Sequence, residues 1–461
     1  MTLSLFLHVL FTLSLLILTY YFLVLAVYAY IQFRSLLRLN RRMRVVRAGV
    51  RLDEESLTPV SVLVPAFNEG ATILASITSL LEQEYPCLEV IVINDGSHDD
   101  TLQQLQTSYD LIPMELPPLT PLPCQSLQGA YRGRTETRLV VLDKLNGGKA
   151  DALNAGLNAA HHPLVCCVDA DSLLEPDAIR QMACLFSRRE NTIAVGGMVR
   201  PMNGCTVRAG QVSGIQLPRT PLELVQVVEY LRAFLTSRFG WESMNSLLIV
   251  SGAFGMFDRA AVLEVGGYAP TIGEDAELTL RLNHHMLDTG RPYTIAMALD
   301  AVCWTQVPQD LRGLRTQRIR WQKGLADALW KHRSLLLNPR YGRVGMLALP
   351  FFWFSELLRP VIELLGYVLL LLAFILDVAA PQALVLFAMA YLHGVLQSVL
   401  AVTAEDRTTR LYPDGKSLQR LLLVCFVEPL VYRPLTVWWR CRALLTLWQK
   451  PTWGTIHRTE F

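Results

Sequence analysis

The residues in this chain best suited to chemistry are acids placed at the ends of apolar runs. Asp169-Ala170-Asp171 follows Leu164 to Val168, and side chains two apart on an extended backbone share a face. One or two carboxylates completed by substrate phosphates suit Mg2+ or Mn2+, although a solvated acidic loop has the same composition. Gly273-Glu274-Asp275 leads into Ala276-Glu277-Leu278. Such acids complement the positive end of a helix, and Asp275 is equally placed to take a proton from a hydroxyl. Asn94-Asp95-Gly96-Ser97 is made of turn formers and closes another apolar run. Asn146-Gly147-Gly148-Lys149 offers glycines for close backbone approach and a lysine for phosphate before a helix start, without the spacing of a P-loop. Gln317-Arg318-Ile319-Arg320-Trp321 presents an amide, guanidinium groups and an indole. It suits a clamp on a diphosphate and a stack on a sugar ring, or an amphipathic interfacial helix with Arg312, Arg315 and Lys323 beside it.

These residues need a scaffold, and short apolar runs separated by helical stretches supply one. Pro59 to Pro65, Leu88 to Ile93, Leu139 to Leu142 and Leu164 to Val168 read as strands, and Ile73 to Gln83 as a helix. Strands that are apolar throughout indicate an α/β fold with a mostly parallel, Rossmann-like sheet covered on both faces. Ligands bind such sheets beyond the carboxyl ends of the strands, where Asp95, Asp169 and Asp171 fall. Leu111 to Thr137 holds Pro113, Pro117, Pro118, Pro121 and Pro123, too many for a helix, and reads as a surface excursion. Val225 to Phe234 is a helix with an apolar face, lying against a membrane or packed on the fold.

The chain has 461 residues, 52% of them hydrophobic, and a net charge of +2. No charged side chain occurs from Met1 to Gln32, a run longer than the ~20 residues that cross a bilayer. Arg34, Arg38, Arg41, Arg42, Arg44, Arg47 and Arg51 follow with no acid before Asp53, the pattern of a cytoplasmic flank. A nucleic-acid partner is disfavoured, because the basic run abuts the span and lacks interleaved aromatics. Residues 1–33 are therefore expected to form a transmembrane helix, 34–57 a basic cytosolic linker, 58–335 the α/β domain ending in interfacial helices, and 336–461 a second membrane region. In that region Leu347 to Leu376, Val378 to Ala404 and Leu421 to Trp439 are interfacial or spanning, with a turn near Asp377 and Pro381. Arg440, Arg442, Lys450 and Arg458 give a basic tail. A cytoplasmic tail requires either that the last segment does not cross or that Leu347 to Leu376 crosses twice. The nine scattered cysteines form no CxxC pair, so neither zinc nor a disulfide is expected in a cytosol-facing domain.

Taken in order, Pro65-Ala66-Phe67-Asn68-Glu69, Asn94-Asp95-Gly96-Ser97, the Gly-Gly-Lys stretch, Asp169-Ala170-Asp171, Gly273-Glu274-Asp275 and Gln317-x-x-Arg320-Trp321 resemble membrane-bound glycosyltransferase family 2. That group includes bacterial poly-N-acetylglucosamine, cellulose and hyaluronan synthases. The resemblance covers roughly Val60 to Leu325. It implies a GT-A cytosolic domain flanked by transmembrane helices, inverting transfer from a UDP-sugar such as UDP-N-acetylglucosamine or UDP-glucose to a β-linked polysaccharide acceptor, and Mg2+ or Mn2+ as cofactor. Export and accessory export subunits at a bacterial inner membrane, and a biofilm exopolysaccharide as product, follow from the same analogy. By matching positions, Asp275 is the general base with Glu274 beside it. Asp95 contacts the uridine, Asp169 the nucleotide or metal, and Asp171 the metal. Glu69 and Lys149 belong to the substrate site, and Gln317, Arg320 and Trp321 bind diphosphate and acceptor sugar. Ser251 to Gly255 falls at the family's acceptor-site loop. The chain shows no recognisable cyclic-dinucleotide-binding module, which weakens the cellulose expectation. Single-sugar transfer to a lipid, and a non-catalytic membrane scaffold, are the rival readings.

Overall fold

The apolar runs form the centre of one sheet, and their burial on both faces explains why they lack polar alternation. A computed structural model describes residues 2–47, 58–115, 122–376 and 380–449. Its strands are β1 (Val60–Ala66), β2 (Leu88–Asn94), β3 (Leu111–Pro113), β4 (Leu127–Gly133), β5 (Leu139–Lys144), β6 (Leu164–Val168), β7 (Ser172–Leu174), β8 (Thr192–Pro201), β9 (Thr206–Arg208), β10 (Gln211–Gly214), β11 (Phe254–Asp258) and β12 (Thr294–Thr305). Ten of them make a single sheet in the order β3-β4-β5-β2-β1-β6-β11-β8-β12-β7, and β9 pairs with β10 apart from it.

The expected parallel block is present as β5-β2-β1-β6, with β8 and β12 parallel to each other further along. The reversed strand β11 joins β6 to β8. Val60, Val62, Leu63 and Val64 of β1 and Val90 to Ile93 of β2 are fully buried. The helix Lys149–Ala159 packs on β1 and β2, and Ala178–Arg188 on β8 and β12. The carboxyl ends of β1, β2, β5 and β6 therefore open along one edge, with the start of β11 beside them.

Two sequence expectations change. The proline-rich segment is at the surface as expected, Gly133 alone being buried among its described residues, but it is not irregular, because β3 and β4 extend the sheet beside β5. Leu127–Gly133 contains no proline and so keeps its ladder donors, and residues 116–121, with Pro117, Pro118 and Pro121, lie outside the described residues. At the other end, the helix Thr2–Arg47 runs on through Arg34 and Arg38 without a break. The basic residues to Arg47 thus continue a helix where a linker was expected, and 48–57, including Arg51, fall outside the described residues.

Three described helices are long and apolar enough to cross a membrane: Leu15–Leu39, Ala383–Thr408 and Gly415–Leu445. A fourth candidate is the pair Val344–Leu357 and Arg359–Ile375, bent by 44° at their junction. Pro381 lies inside the helix Ala380–Thr408, while Asp377, Lys450 and Arg458 are not described. Side chains bind these helices to the α/β half. Arg200 of β8 reaches Glu405 at 3.0 Å with both groups buried, Arg232 reaches Glu428 at 3.2 Å, and Arg440 Nε donates to Gln322 Oε1 at 2.7 Å. The helix Pro221–Leu231, with Val227 and Val228 buried, packs on β8 and also meets the apolar helices.

Candidate active site

Asp95 leaves the end of β2 with its carboxylate already engaged. Oδ1 accepts from Lys144 Nζ at 2.5 Å and from Gly147 N at 3.0 Å, and Oδ2 accepts from Gly148 N at 2.8 Å. Gly148 has φ +88°, a conformation open to glycine but strained for other residues. Lys144, wholly buried at the end of β5, also pairs with Asp151 at 2.5 Å. Its bonds hold the glycine turn in place ahead of Lys149, the first residue of the next helix.

Lys149 is the hub of the site. Its Nζ lies 2.6 Å from Asp169 Oδ1, 3.3 Å from Glu274 Oε1 and 3.3 Å from the Gly252 carbonyl. Burial disfavours its charge, but Asp169 and Glu274 outweigh that and raise its pKa above the usual lysine range. Asp171, buried two residues after Asp169, is pushed up to about 7 by burial and then by the Asp169 charge. Burial, opposed by Lys149 and reinforced by Asp275, likewise raises Glu274. The acids thus outnumber the ammonium that serves them, and a divalent cation between Asp169 and Asp171 would relieve the excess. The donor set fits Mg2+ or Mn2+ completed by phosphate oxygens.

Asp275 closes the group from the opposite side. Its Oδ2 accepts from Gly252 N at 2.9 Å and its Oδ1 from Ala276 N at 2.8 Å. It stands in the first turn of the helix Glu274–Thr289, where the dipole favours an anion. Gly252 has little room: a Cβ there would lie 3.2 Å from Asp275 Cβ and 3.3 Å from Lys149 Nζ. Backbone contact between Gly273 and Gly324 joins this loop to the helix Leu311–Lys331, since a Cβ on either residue would meet the other Cα at 2.9 Å.

The Gln317 to Trp321 stretch lies on that helix. Gln317 is buried with Oε1 unpartnered among the described residues. Arg318 pairs with Glu229 at 2.8 Å and lies 4.3 Å from the Trp321 ring centroid. Trp321 is 44% exposed, and Arg320 is partly buried. Glu69 stands apart, at the end of β1, where Oε2 accepts from Thr72 Oγ1 at 3.1 Å and the Glu69 amide donates to Thr101 Oγ1. Lys149, Asp169 and Glu274 are therefore directly linked, Asp275 joins them through the backbone of Gly252, and Asp171 is adjacent. Asp95 reaches the group through the glycine turn, and the Gln317 helix through the Gly273 contact. Lys144 and the Gly252 amide escaped sequence reasoning. The signal for Lys144 was a lysine closing an apolar strand, and Gly252 carried none beyond its loop.

The profile for glycosyl transferase family group 2 matches residues 164–395, half of the chain, and that for glycosyl transferase family 2 matches residues 61–262. Poly-beta-1,6-N-acetyl-D-glucosamine synthases are similar: one from Staphylococcus epidermidis is 28% identical over 61% of this chain and 58% of its own length. One from Staphylococcus aureus is 27% identical over 61% and 58%. The aligned stretch thus spans little more than half of these relatives. Among solved structures, a mannosyltransferase from Pyrobaculum calidifontis, in complex with GDP-Man and Mn2+, aligns at 20% identity with a TM-score of 0.48, covering 90% of this chain and 99% of that one. Staphylococcus aureus TarS with UDP-GlcNAc aligns at 15% and 0.40, covering 83% and 92%. On the extent of its profile match, this chain belongs to glycosyl transferase family group 2.

Proposed function

We propose that this protein is a membrane-bound, inverting glycosyltransferase that moves a sugar from a UDP-sugar, with N-acetylglucosamine preferred to glucose, onto a growing β-linked polysaccharide. The observation that carries the reading is the bonded group of Lys149, Asp169, Glu274, Gly252 and Asp275 at the strand ends, joined through Gly273 and Gly324 to the helix bearing Gln317, Arg320 and Trp321. The similarity to poly-beta-1,6-N-acetyl-D-glucosamine synthases supports the sugar and the polymer.

In this mechanism Asp275 accepts the proton of the acceptor hydroxyl as its oxygen attacks the anomeric carbon, and one displacement inverts that centre. The Gly252 amide and the helix start hold the carboxylate in position. Lys149 keeps Asp169 and Glu274 from repelling each other, and Glu274 orients Lys149. Asp95 and Lys144 fix the glycine turn on the nucleotide side. Arg320 and Gln317 hold the diphosphate, and Trp321 offers its ring to the acceptor sugar. A Mg2+ or Mn2+ ion, held by Asp169 and Asp171, would neutralise charge on the departing UDP. In this reading the domain sits at a bacterial inner membrane with the site on the cytoplasmic side, where UDP-sugars are made; the apolar helices Leu15–Leu39, Ala383–Thr408 and Gly415–Leu445 support a membrane setting. Export of the lengthening product beside the site, with accessory subunits, completes the reading.

The test is incubation of membranes carrying the full chain with a panel of labelled UDP-sugars, followed by digestion with linkage-specific hydrolases. The expected product is a metal-dependent polymer from UDP-N-acetylglucosamine, cleaved by a β-1,6-specific hydrolase. One organic-extractable product that does not grow with time would replace the polymer by a glycolipid, and no UDP release from any donor would leave a scaffold.

A further inference from the structure

The 44° bend between Val344–Leu357 and Arg359–Ile375 has a chemical cause at Pro360, the second residue of the latter helix. In an unbroken helix the amides of residues 360 and 361 would serve the carbonyls of Glu356 and Leu357. Proline has no N–H, and Val361 N donates instead to the Leu358 carbonyl at 3.0 Å. The two carbonyls so released are taken up by side chains from other elements. Arg440 Nη2, on the helix Gly415–Leu445, donates to the Glu356 carbonyl at 2.6 Å, and Gln322 Nε2, on the helix Leu311–Lys331, donates to the Leu357 carbonyl at 2.9 Å. Arg440 Nε then donates to Gln322 Oε1 at 2.7 Å, which closes a ring of three side-chain bonds over the bend.

Carbonyls freed in a membrane helix are commonly satisfied by neighbouring helices, and several donors could do that here. What distinguishes Gln322 is its place in the chain. It is buried, follows Trp321 directly, and stands two residues before Gly324, whose backbone touches Gly273 just ahead of Glu274 and Asp275. Beside it, Lys323 Nζ donates to the carbonyls of Thr446 at 2.6 Å and Gln449 at 3.1 Å, past the end of the helix Gly415–Leu445. The helix that bears Gln317, Arg320 and Trp321 is thus tied at one point to the bend, to the last apolar helix and to the Asp275 loop.

We propose that Gln322 and Arg440 are positioning residues: by joining the bend to the helix Leu311–Lys331 they set how that helix meets the Asp275 loop, and so how the acceptor is aligned with the base. The inference rests on the sugar-transfer reading of the site. It is tested with the full chain in lipid nanodiscs, comparing Gln322→Met, Arg440→Met, the double variant and Gln322→Glu, each assayed well below its thermal midpoint. Because a misplacement of about 1 Å costs on the order of 10²-fold, kcat per folded enzyme should fall roughly 10- to 100-fold in either Met variant, with the Kd for UDP and Mn2+ changed by less than about twofold. The double variant should be no slower than the slower single one to within about twofold, as for two residues acting through one bond, and Gln322→Glu, which keeps an acceptor for Arg440, should be intermediate. Amide hydrogen exchange over residues 271–276 should be faster in Gln322→Met, with β1 and β2 unchanged. A kcat per folded enzyme equal to that of wild type, a matching loss of UDP binding, multiplying losses in the double variant, or unchanged exchange over 271–276 overturns the proposal. If the wild type transfers no sugar, the sugar-transfer reading falls, while the exchange comparison still decides whether Gln322 sets the loop.

Discussion

The two sides of the candidate site are built differently. On the side proposed for the nucleotide, Asp95, Lys144 and the Gly147-Gly148 turn bond to one another, so the surface that would meet the donor is set before anything binds. On the side proposed for the acceptor, Gln317 Oε1 is buried without a partner among the described residues and Trp321 is 44% exposed. A nucleotide of fixed shape suits a rigid cradle, whereas a polymer that must advance after every transfer suits polar groups and ring faces not tied to protein.

The largest effect that would sharpen this contrast is on stability. Lys144→Met leaves the Asp95 and Asp151 carboxylates without their buried cation, which should destabilise the protein by ~3–5 kcal/mol and lower its thermal midpoint. The same midpoint for Lys144→Met and wild type would break the claim that the nucleotide side is internally braced. Next, Gly324→Ala puts a methyl group 2.9 Å from Gly273 Cα; overpacking of this kind costs ~1–3 kcal/mol. Because the displaced loop carries Asp275, kcat should fall by more than UDP binding weakens, and equal losses in both would point to a general structural fault.

A smaller effect concerns pH. With its pKa raised to about 7, Asp171 is protonated below that pH in the absence of a cation, and a metal must displace the proton. The Mn2+ concentration for half-maximal UDP release should therefore rise by about tenfold per unit as pH falls below 7 and level off above it. An identical midpoint at pH 6 and pH 8 would contradict the assignment of Asp171. Smallest in stability is Trp321→Ala, which removes the Arg318 contact at 4.3 Å and should cost ~0.5–1 kcal/mol. Its acceptor KM should rise well beyond that of the donor, and a donor-only defect would place Trp321 on the wrong side of the comparison.

The nucleotide side is also the side that could be read in advance. Strands β1, β2, β5 and β6 are apolar because both of their faces are covered, and that burial leaves a local signature ending in Asp95, Lys149 and Asp169. Strands β8, β11 and β12 went unassigned, although Ala194, Val195, Phe254 and Ala296 are buried, because their pairing joins segments distant in sequence. Strands β3 and β4 were hidden by the prolines around them. Lys144 was invisible for a related reason: the partners that give it meaning, Asp95 and Asp151, are supplied by tertiary packing. The basic run after Gln32 was legible as charge, but the continuous helix to Arg47 was not, since arginine carries no signal to stop or extend a helix on its own.

The central claim, that Asp275 takes the proton in a sugar transfer made at this edge of the sheet, is most directly tested by comparing labelled polymer formed from UDP-N-acetylglucosamine by wild type and by Asp275→Asn, with UDP and Mn2+ binding measured on the same preparations. Loss of the base should slow polymer formation by a factor of ~10² to 10⁴ while UDP binding persists. Polymer formed by Asp275→Asn at the wild-type rate would contradict it.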